Sequence, residues 1–396
     1  MSDGRARLSL AVSRLAIPFR QRFAHASAAR DETQALLVTV SREGLEGVGE
    51  GCPREYVTGE DLETAEAFIG RHRSAWMRDV TTPAALAEWA ATHAGEIDAS
   101  PAAWCAVELA CLDLFGRERG QSVEHLLGVA PVSGRYRYTA VVGDSDGAVF
   151  AATVARYRQA GFDDFKIKLS GDLERDREKV AVLREVGVEA ARVRADANNL
   201  WRGAAEAARH VESLGTTFAG IEEPVAVGRL DGLREVARRT GSRMILDESL
   251  VRGAQLDALA ADPQAWIVNV RVSKMGGLRR SLDVVARARA LGIAVIVGAQ
   301  VGETSVLTRA ALPVATAAGP ALVGQEGAFG TWLLEHDICD SPLMFGTGGV
   351  LDADALGLAA RPGLGITRSG NSASFQGPRA RSCGSGRGTG RGARRT

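Results

Sequence analysis

Three acidic residues recur at nearly even spacing, each at the end of a short apolar run. Asp196, Glu222 and Asp247 are 26 and 25 residues apart. Carboxylates gathered in a pocket repel one another and resist the loss of water unless a cation neutralises them. Carboxylate oxygens without His or Cys suit Mg²⁺, or alternatively Mn²⁺. The spacing therefore predicts a metal site formed by the three acids. The plainer alternative is that each acid caps the helix after its own strand.

The lysines of this chain are scarce. Only four of the 48 basic residues are lysine, namely Lys166, Lys168, Lys179 and Lys274. A lysine retained among so many arginines is a candidate for chemistry that arginine cannot do, such as losing a proton near neutral pH. Lys166 and Lys168 lie in the apolar run 165–169, where strand alternation places both on one face. An ammonium beside another ammonium and a metal has a lowered pKa, which predicts a general base. Two surface lysines with buried stems are the alternative.

A repeated strand–helix unit is predicted to position these residues. From residue 136 onward, short apolar runs alternate with amphipathic helical segments, and corresponding strand positions are about 22 to 29 residues apart. This period is typical of βα units and predicts an α/β fold with a parallel barrel. An open nucleotide-binding sheet is the rival, but residues 142–147 lack a GxGxxG turn. Functional residues of such barrels lie at the C-terminal ends of the strands, where the lysines and acids fall. The predicted strands are 136–142, 165–169, 191–195, 218–221, 244–246, 266–272 and 294–297.

The composition excludes several classes of protein. Hydrophobic residues make up 45% and charged residues 24% of 396 residues, as in globular proteins, and we expect two domains. No apolar run reaches the about 20 residues of a membrane-spanning helix, and no signal peptide is recognisable. Five cysteines without a CxxC pair predict buried thiols in a cytoplasmic protein.

The net charge of zero conceals an uneven distribution. Residues 368–396 contain seven arginines and no acid, so residues 1–367 carry a formal charge of 0 − 7 = −7. An acidic body argues against a nucleic-acid partner. The Arg-, Gly- and Ser-rich tail at 368–396 cannot build a core and is predicted to be disordered.

The ordered strand-end motifs closely resemble those of the enolase superfamily, and within it the mandelate racemase/muconate-lactonizing-enzyme subgroup. The resemblance covers about residues 8–365. It implies a modified TIM barrel, (β/α)7β, at 131–345, an N-terminal α+β capping domain at 1–130, and a segment at 346–367 that packs back on the cap. The motifs are Lys166-Ile167-Lys168, Asp196-Ala197-Asn198, Glu222-Glu223-Pro224, Asp247-Glu248-Ser249 and Ser273-Lys274-Met275-Gly276-Gly277.

The resemblance also implies roles for individual residues. Asp196, Glu222 and Asp247 would hold Mg²⁺, which would chelate the carboxylate of a small-molecule substrate. Lys168 would remove the proton α to that carboxylate, giving an enediolate, and Lys166 would bind the carboxylate and lower the pKa of Lys168. Residues 19–23 match a mobile cap loop that sets substrate choice, and relatives of this kind are commonly homo-oligomers. Further site residues are expected to be Phe19, Phe23, Asn198, Asn269 and Glu303, the last at the end of the seventh strand.

Arg271 departs from the pattern of the subgroup. It stands where members usually carry a second catalytic lysine, and a guanidinium is a poor general base. Lys274 could substitute, but strand alternation predicts that it points away from Asn269 and Arg271. We therefore expect one-base chemistry, in a cycloisomerase or in a syn-eliminating lyase like o-succinylbenzoate synthase. The alternatives are a racemase or epimerase that uses Arg271 or Lys274 on the other face, and an inactive barrel with a binding role.

A second departure concerns the recognition of an ammonium group on the substrate. Dipeptide epimerases of the subgroup use an Asp-x-Asp near the eighth strand, whereas this chain offers Glu303 and then Gln325-Glu326. This counts against a dipeptide substrate but leaves an amino-acid derivative open.

Overall fold

The computed structural model describes residues 7–25, 28–369 and 375–376. An antiparallel sheet opens the fold, in which β1 pairs with β4 and β4 pairs with β5, while β2 and β3 form a separate hairpin. Residues 19–23, predicted to be a loop, lie within β2. The strands are β1 (Ser9–Leu15), β2 (Pro18–His25), β3 (Ala28–Glu32), β4 (Ala35–Arg42) and β5 (Leu45–Gly51).

Within the described residues, six helices complete the N-terminal part, and α5 is buried on all sides from Pro101 to Gly116. Three glycines of β5 lie directly on the backbone of α5, where a methyl group at Gly47, Gly49 or Gly51 would overlap a main-chain carbonyl of the helix. The strand can approach so closely only because these residues lack Cβ. The helices are α1 (Glu55–Thr58), α2 (Leu62–Asp79), α3 (Pro83–Thr92), α4 (Ala94–Ala99), α5 (Pro101–Arg119) and α6 (Val123–Leu127).

Eight parallel strands follow the short strand β6 (Arg135–Arg137) and are hydrogen-bonded in chain order from β7 to β14. The two outermost strands meet where Thr139 N donates to Gln325 O at 2.7 Å. Most of these strands are buried along their whole length, because helices cover the outside and facing strands cover the inside. They are β7 (Ala140–Val142), β8 (Phe165–Lys168), β9 (Val193–Asp196), β10 (Gly220–Glu222), β11 (Met244–Leu246), β12 (Trp266–Val270), β13 (Ala294–Val297) and β14 (Leu322–Gln325).

Seven crossover connections join these strands, which confirms the predicted barrel of the (β/α)7β type. The fifth connection consists of the 3₁₀ helices Gly253–Leu259 and Pro263–Ala265 instead of an α-helix. Six connections contain α-helices: α7 (Gly147–Gln159), α8 (Leu173–Glu185), α9 (Ala204–Glu212), α10 (Leu230–Thr240), α11 (Val272–Met275) with α12 (Leu278–Leu291), and α13 (Ser305–Ala318). Further 3₁₀ helices in the described part are Ala190–Arg192, Gly319–Ala321, Gly330–Trp332, Thr347–Gly349 and Leu358–Ala360.

The chain after the barrel returns to the N-terminal elements. β15 (Val350–Asp352) pairs with β6, and Leu364 N donates to Asp113 of α5 at 2.7 Å. The tail was predicted to be disordered, but β16 (Phe375–Gln376) pairs with β1, since the edge of that sheet offers free backbone groups. Residues 370–374 and 377–396 of the predicted tail lie outside the described part. The exact domain boundaries stay a prediction.

Two further sequence expectations concern membrane-spanning helices and the cysteines. No helix within 7–25, 28–369 and 375–376 is long and apolar enough to cross a membrane. Four cysteines are buried free thiols, as predicted, namely Cys52, Cys105, Cys111 and Cys339. The fifth, Cys383, lies outside the described residues.

Candidate active site

Parallel register brings the predicted lysines and acids together at the C-terminal ends of β8 to β11. Lys168 is the register partner of Asp196, and Asp196 is in turn the partner of Glu222. Asp247 follows the last residue of β11 directly. All of these side chains, together with Lys166, are buried. The strand-end spacing thus predicted correctly which residues would share one rim.

Each of the two lysines of β8 contacts Asp196, but the two differ in their other partners. Lys166 Nζ lies 2.7 Å from Glu222 Oε2, 3.1 Å from Asp196 Oδ2 and 3.3 Å from Glu326 Oε2. Lys168 Nζ lies 2.6 Å from Asp196 Oδ2 and donates to Asn198 Oδ1 at 2.8 Å. Lys166 is therefore held by three carboxylates, whereas Lys168 has one carboxylate and one neutral acceptor.

Asp247 is paired with two other cations. Arg271 Nη2 forms an ion pair with Asp247 Oδ2, and Arg271 Nη1 donates to Gln300 Oε1 at 2.9 Å. Lys274 Nζ donates to Asp247 Oδ1 at 2.9 Å and to the main-chain oxygens of Asp247 and Asn269 at 2.8 and 2.7 Å. The prediction that Lys274 points away from the site is wrong. β12 ends at Val270 and the chain turns into α11, so strand alternation no longer applies at position 274.

The charges of these groups set their protonation. Burial works to lower the pKa of Lys166, but Glu222, Glu326 and Asp196 outweigh it and raise that pKa well above its ordinary value. The pKa of Arg271 is also raised, because Asp247 and Glu222 overcome the effect of burial. Both side chains therefore remain cations near neutral pH, and neither can accept a proton.

The donor set suits a hard cation, although the three predicted ligands do not converge on one point. Burial, and then the charge of Asp196, raise the pKa of Glu222 well above its ordinary value, so the ionised form of Glu222 is disfavoured. A divalent cation would relieve this repulsion. However, within the described residues no three His, Cys, Asp or Glu side chains are gathered as metal ligands would be. Arg271 and Lys274 pair with the two carboxylate oxygens of Asp247. The metal assignment of Asp196, Glu222 and Asp247 stays a prediction.

A cavity of about 700 Å³ lies at this rim. Lys166, Lys168, Asn198 and Arg271 line it from the strand ends, and Glu303 and Glu326 from the loops after β13 and β14. The N-terminal part contributes Arg20, Gln21 and Tyr56, and the outer wall includes Arg156, which stacks on Trp332 at 5.0 Å. The cavity is thus charged at its base and formed by both halves of the chain.

Two further acids in the cavity wall favour the protonated form. Burial, and then the charge of Asp247, raise the pKa of Glu248 to about 8. The pKa of Glu303 is raised to about 8, mainly by burial and less by Glu50, against a hydrogen bond from Gln300 N to Oε1 at 2.7 Å. Glu303 is consequently a carboxyl group that can both hold and release a proton near neutral pH.

The four residues predicted to contact the substrate do not all lie at the cavity. Asn198 lines the cavity, whereas Asn269 is fully buried beside Gly298 and its amide has no hydrogen-bond partner in the described part of the chain. Phe19 is buried against Gly302 and is not among the lining residues. Phe23 lies in β2, but its side chain is outside the described part.

Glu223 is a site residue to which the sequence analysis gave no role. Its carboxylate accepts from Asp247 N at 2.8 Å, from Ser249 N at 2.7 Å and from Ser249 Oγ at 2.8 Å. It thereby fixes the turn that carries Asp247. Glu223 lies next to Glu222 in the chain, and its φ of 41° aims the side chain differently from a regular strand residue, which no spacing rule predicts.

The chain is similar to known proteins over most of its length. The family model described as "Enolase C-terminal domain-like" matches residues 149–371, which include all the strand-end residues from Lys166 to Glu326. The L-Lys-D/L-Arg epimerase of Methylococcus capsulatus is 32% identical over 344 residues, covering 85% of this chain and 92% of that protein. The chloromuconate cycloisomerase of Cupriavidus pinatubonensis is 27% identical over 365 residues, covering 88% and 93%.

A solved structure of such a relative has the same fold as this chain. The dipeptide epimerase of Methylococcus capsulatus, complexed with Mg and the dipeptide L-Arg-D-Lys, aligns with a TM-score of 0.75 and 29% identity, over 92% of this chain and 99% of that one. The predicted family resemblance is confirmed. The chain belongs to the enolase superfamily, in the subgroup of mandelate racemase and muconate-lactonizing enzyme.

Proposed function

We propose that this protein is a Mg²⁺-dependent epimerase or racemase that acts on an amino-acid derivative with a free carboxylate. In this proposal Lys168 removes the proton α to that carboxylate. The observation that carries the proposal is the pair of buried lysines at the base of the cavity. Lys168 Nζ has a single carboxylate partner at 2.6 Å, while Lys166 is held by Asp196, Glu222 and Glu326.

The two lysines have complementary parts in this chemistry. Lys166 keeps its charge, because the surrounding acids raise its pKa, and it can bind a substrate carboxylate without exchanging a proton. Lys168 shares Asp196 with Lys166 and is oriented by Asn198 Oδ1 at 2.8 Å. When bound by Asp196, Glu222 and Asp247, a divalent cation supplies Lewis-acid stabilisation of the enediolate.

Inversion at the α-carbon requires a second proton carrier, and Arg271 is unsuited to that role because its pKa is raised above an already high value. Glu303 is our candidate. It lines the same cavity, and its pKa of about 8 allows it to give and take a proton near neutrality. Gln300 connects the two groups, since its backbone N donates to Glu303 and its side chain accepts from Arg271.

The relatives support epimerisation more than the one-base chemistry that the sequence analysis favoured. The epimerase relative is 32% identical to this chain, and the cycloisomerase relative 27%. Epimerisation and cycloisomerisation are the activities of those two proteins, and for this chain they support a proposal.

Arg271 favours a second candidate function. A permanent cation at this position can stabilise negative charge but cannot carry a proton away, which suits a syn-elimination or a ring closure run by Lys168 alone. In that case Glu303 would have no part in proton transfer.

Proton exchange in D₂O separates the two candidates. The pure protein is incubated with Mg²⁺ and a library of N-succinyl and other N-acyl amino acids, dipeptides, acid sugars, lactones and cyclohexadiene acids. Deuterium at the α-carbon with inversion, seen by ¹H NMR and chiral chromatography, supports the epimerase. Loss of water or ring closure supports the second candidate.

The matched control for this screen is Lys168→Ala, which we expect to lower exchange at least about 1,000-fold. EDTA should abolish exchange and added Mg²⁺ should restore it. If Lys168→Ala left every measured activity unchanged, both catalytic proposals would fail and an inactive, ligand-binding barrel would remain.

A further inference from the structure

All four lysines of this arginine-rich chain are buried, and each contacts the candidate active site. Lys166 and Lys168 lie in the cavity wall, and Lys274 holds Asp247. The fourth, Lys179 of α8, is only 1% exposed and has no part in the proposed chemistry. We propose that Lys179 is a positioning residue, which fixes the strand end that carries Lys168 and which arginine cannot replace. The catalytic consequence rests on the proposed function.

Lys179 uses all three of its donors within this site. Its Nζ donates to Lys168 O at 2.8 Å, to Asp144 Oδ1 at 2.8 Å and to Asp176 Oδ1 at 3.0 Å. The first of these acceptors is the main-chain carbonyl of the proposed base itself. The position of that peptide, and with it the origin of the Lys168 side chain, depends on this ammonium.

Asp176, the ion-pair partner of Lys179, fixes the chain on the C-terminal side of Lys168. It accepts from Ser170 N at 2.9 Å, from Ser170 Oγ at 2.8 Å and, on its second oxygen, from His210 Nε2 at 3.0 Å. The Lys179–Asp176 pair is therefore hydrogen-bonded to the chain at residue 168 and again at residue 170. The two contacts leave the intervening peptide little freedom to shift.

Asp144 links the same ammonium to the wall of the cavity. It follows β7 and lines the cavity, and it also pairs with Arg175 at 3.0 Å. The side chain of Arg175 is 39% exposed, and its ion pair within the described residues is with Asp144. Two cations thus meet at Asp144, and only one of them reaches the proposed base.

The geometry explains why lysine persists here among 44 arginines, since 48 − 4 = 44. Three acceptors converge within 3.0 Å of a single nitrogen. An ammonium offers three donors from one atom, whereas a guanidinium spreads its donors over a planar fork. An arginine at this buried position would also have to fit a larger head group into a closely packed interior.

The test compares Lys179→Arg with Arg175→Met, which removes a cation from Asp144 without touching Lys168. In the D₂O exchange assay we expect Lys179→Arg to lower kcat about 100-fold, as a displacement of about 1 Å can, with KM nearly unchanged. Arg175→Met should stay within about twofold of the wild type. The double variant Lys179→Met/Asp176→Asn, which leaves no uncompensated buried charge, should behave like Lys179→Arg.

A second readout needs no substrate. Selective ¹³Cε labelling of lysine gives one signal for each of only four residues, which single variants assign. At fixed pH, the Lys168 signal should move in Lys179→Arg and in the double variant but not in Arg175→Met. A general loss of stability would lower the melting temperature without moving this signal in the folded protein.

The two readouts distinguish the failure of this inference from that of the proposed function. An unmoved Lys168 signal and an unchanged kcat in folded Lys179→Arg would overturn the positioning role. If the wild type exchanged no α-proton of any compound while the Lys168 signal still moved, the proposed function would fail and the positioning of Lys168 would stand.

Discussion

At the scale of single residues, the guanidinium of Arg271 changes what the cavity can do with a proton. It pairs with Asp247 and with Gln300, and its pKa is raised above the ordinary value. A lysine at this position could lose its proton to the site, whereas arginine cannot. If the protein inverts its substrate, the second proton carrier must then be another group in the cavity. Burial raises the pKa of two acids of the cavity wall, Glu248 and Glu303, to about 8, and Glu303 is the one that Gln300 links to Arg271.

This division of roles gives a prediction for two variants. Glu303→Gln should lower inversion by about 100-fold or more, because the amide carries no exchangeable proton of suitable acidity, while α-proton exchange through Lys168 falls far less. Adding Arg271→Lys to Glu303→Gln should recover part of the inversion. Both rates are measured together in D₂O, by NMR for exchange and by chiral chromatography for inversion. Equal loss of exchange and inversion in Glu303→Gln would contradict the assignment.

The sequence predicted those site residues that depend on strand ends, and missed those that depend on turns. Lys166, Lys168, Asp196 and Glu222 share a rim because parallel strands keep their residues in register. Lys274 was assigned the wrong direction because the alternating pattern of residues 266–272 continues past Val270, where β12 ends. Glu223 and Lys179 act through backbone groups of other segments, and such contacts leave no pattern in residue spacing.

At the scale of elements, the contact between β5 and α5 carries the N-terminal part of the fold. Gly47, Gly49 and Gly51 alternate along one face of β5, and the facing residues Ala102, Ala106 and Ala110 are spaced by one helical turn along α5. This arrangement lets a strand lie directly on a helix backbone. The glycine spacing is visible in the sequence, but its meaning is not, since glycines also mark turns.

A single methyl group should disrupt this contact. In Gly49→Ala the new Cβ would overlap Ala106 O and Ala110 N, neither of which can move without displacing the helix. We expect the free energy of unfolding to fall by about 3 kcal/mol or more, as measured by urea denaturation.

The matched control is Gly70→Ala in α2. A methyl group at the exposed Gly70 meets nothing within 4 Å, and the substitution should raise stability by about 1 kcal/mol through helix propensity. If Gly49→Ala were as stable as Gly70→Ala, the close approach of β5 to α5 would not hold in solution.

At the scale of the whole molecule, buried acids of the N-terminal part cap helices of the barrel. Glu50 of β5 accepts from Thr304 N at 2.9 Å and from Thr304 Oγ1 at 2.6 Å, where α13 begins. Glu108 of α5 accepts from Leu278 N at 2.5 Å, where α12 begins. The partners are 254 and 170 residues apart in the chain, so no local pattern predicts them. These hydrogen bonds join the N-terminal part, which contributes one wall of the cavity, to the barrel, which carries the lysines.

The protonation of these acids makes the stability of the whole molecule depend on pH. Burial raises the pKa of Glu50 and of Glu108 to about 7, from an ordinary value of 4.5. Between these values the folded chain holds a proton that the unfolded chain has lost. Raising the pH through this window therefore lowers the free energy of unfolding, by about 1.4 kcal/mol per pH unit for each acid. This contribution to stability is fully present below pH 4.5 and is lost as the pH rises through about 7.

Glu108→Gln isolates one of the two contributions. Its amide oxygen can still accept from Leu278 N, but the side chain no longer titrates, so the free energy of unfolding should fall less steeply between pH 5 and pH 7. We expect the slope to be smaller than in the wild type by about 1.4 kcal/mol per pH unit, from urea denaturation at pH 5, 6 and 7 followed by fluorescence and circular dichroism. Parallel curves for the two proteins would mean that Glu108 is ionised in the folded state. The helix terminus at Leu278 would then be capped by a carboxylate instead of a neutral acid, and Glu108 would have no part in the loss of stability as the pH rises.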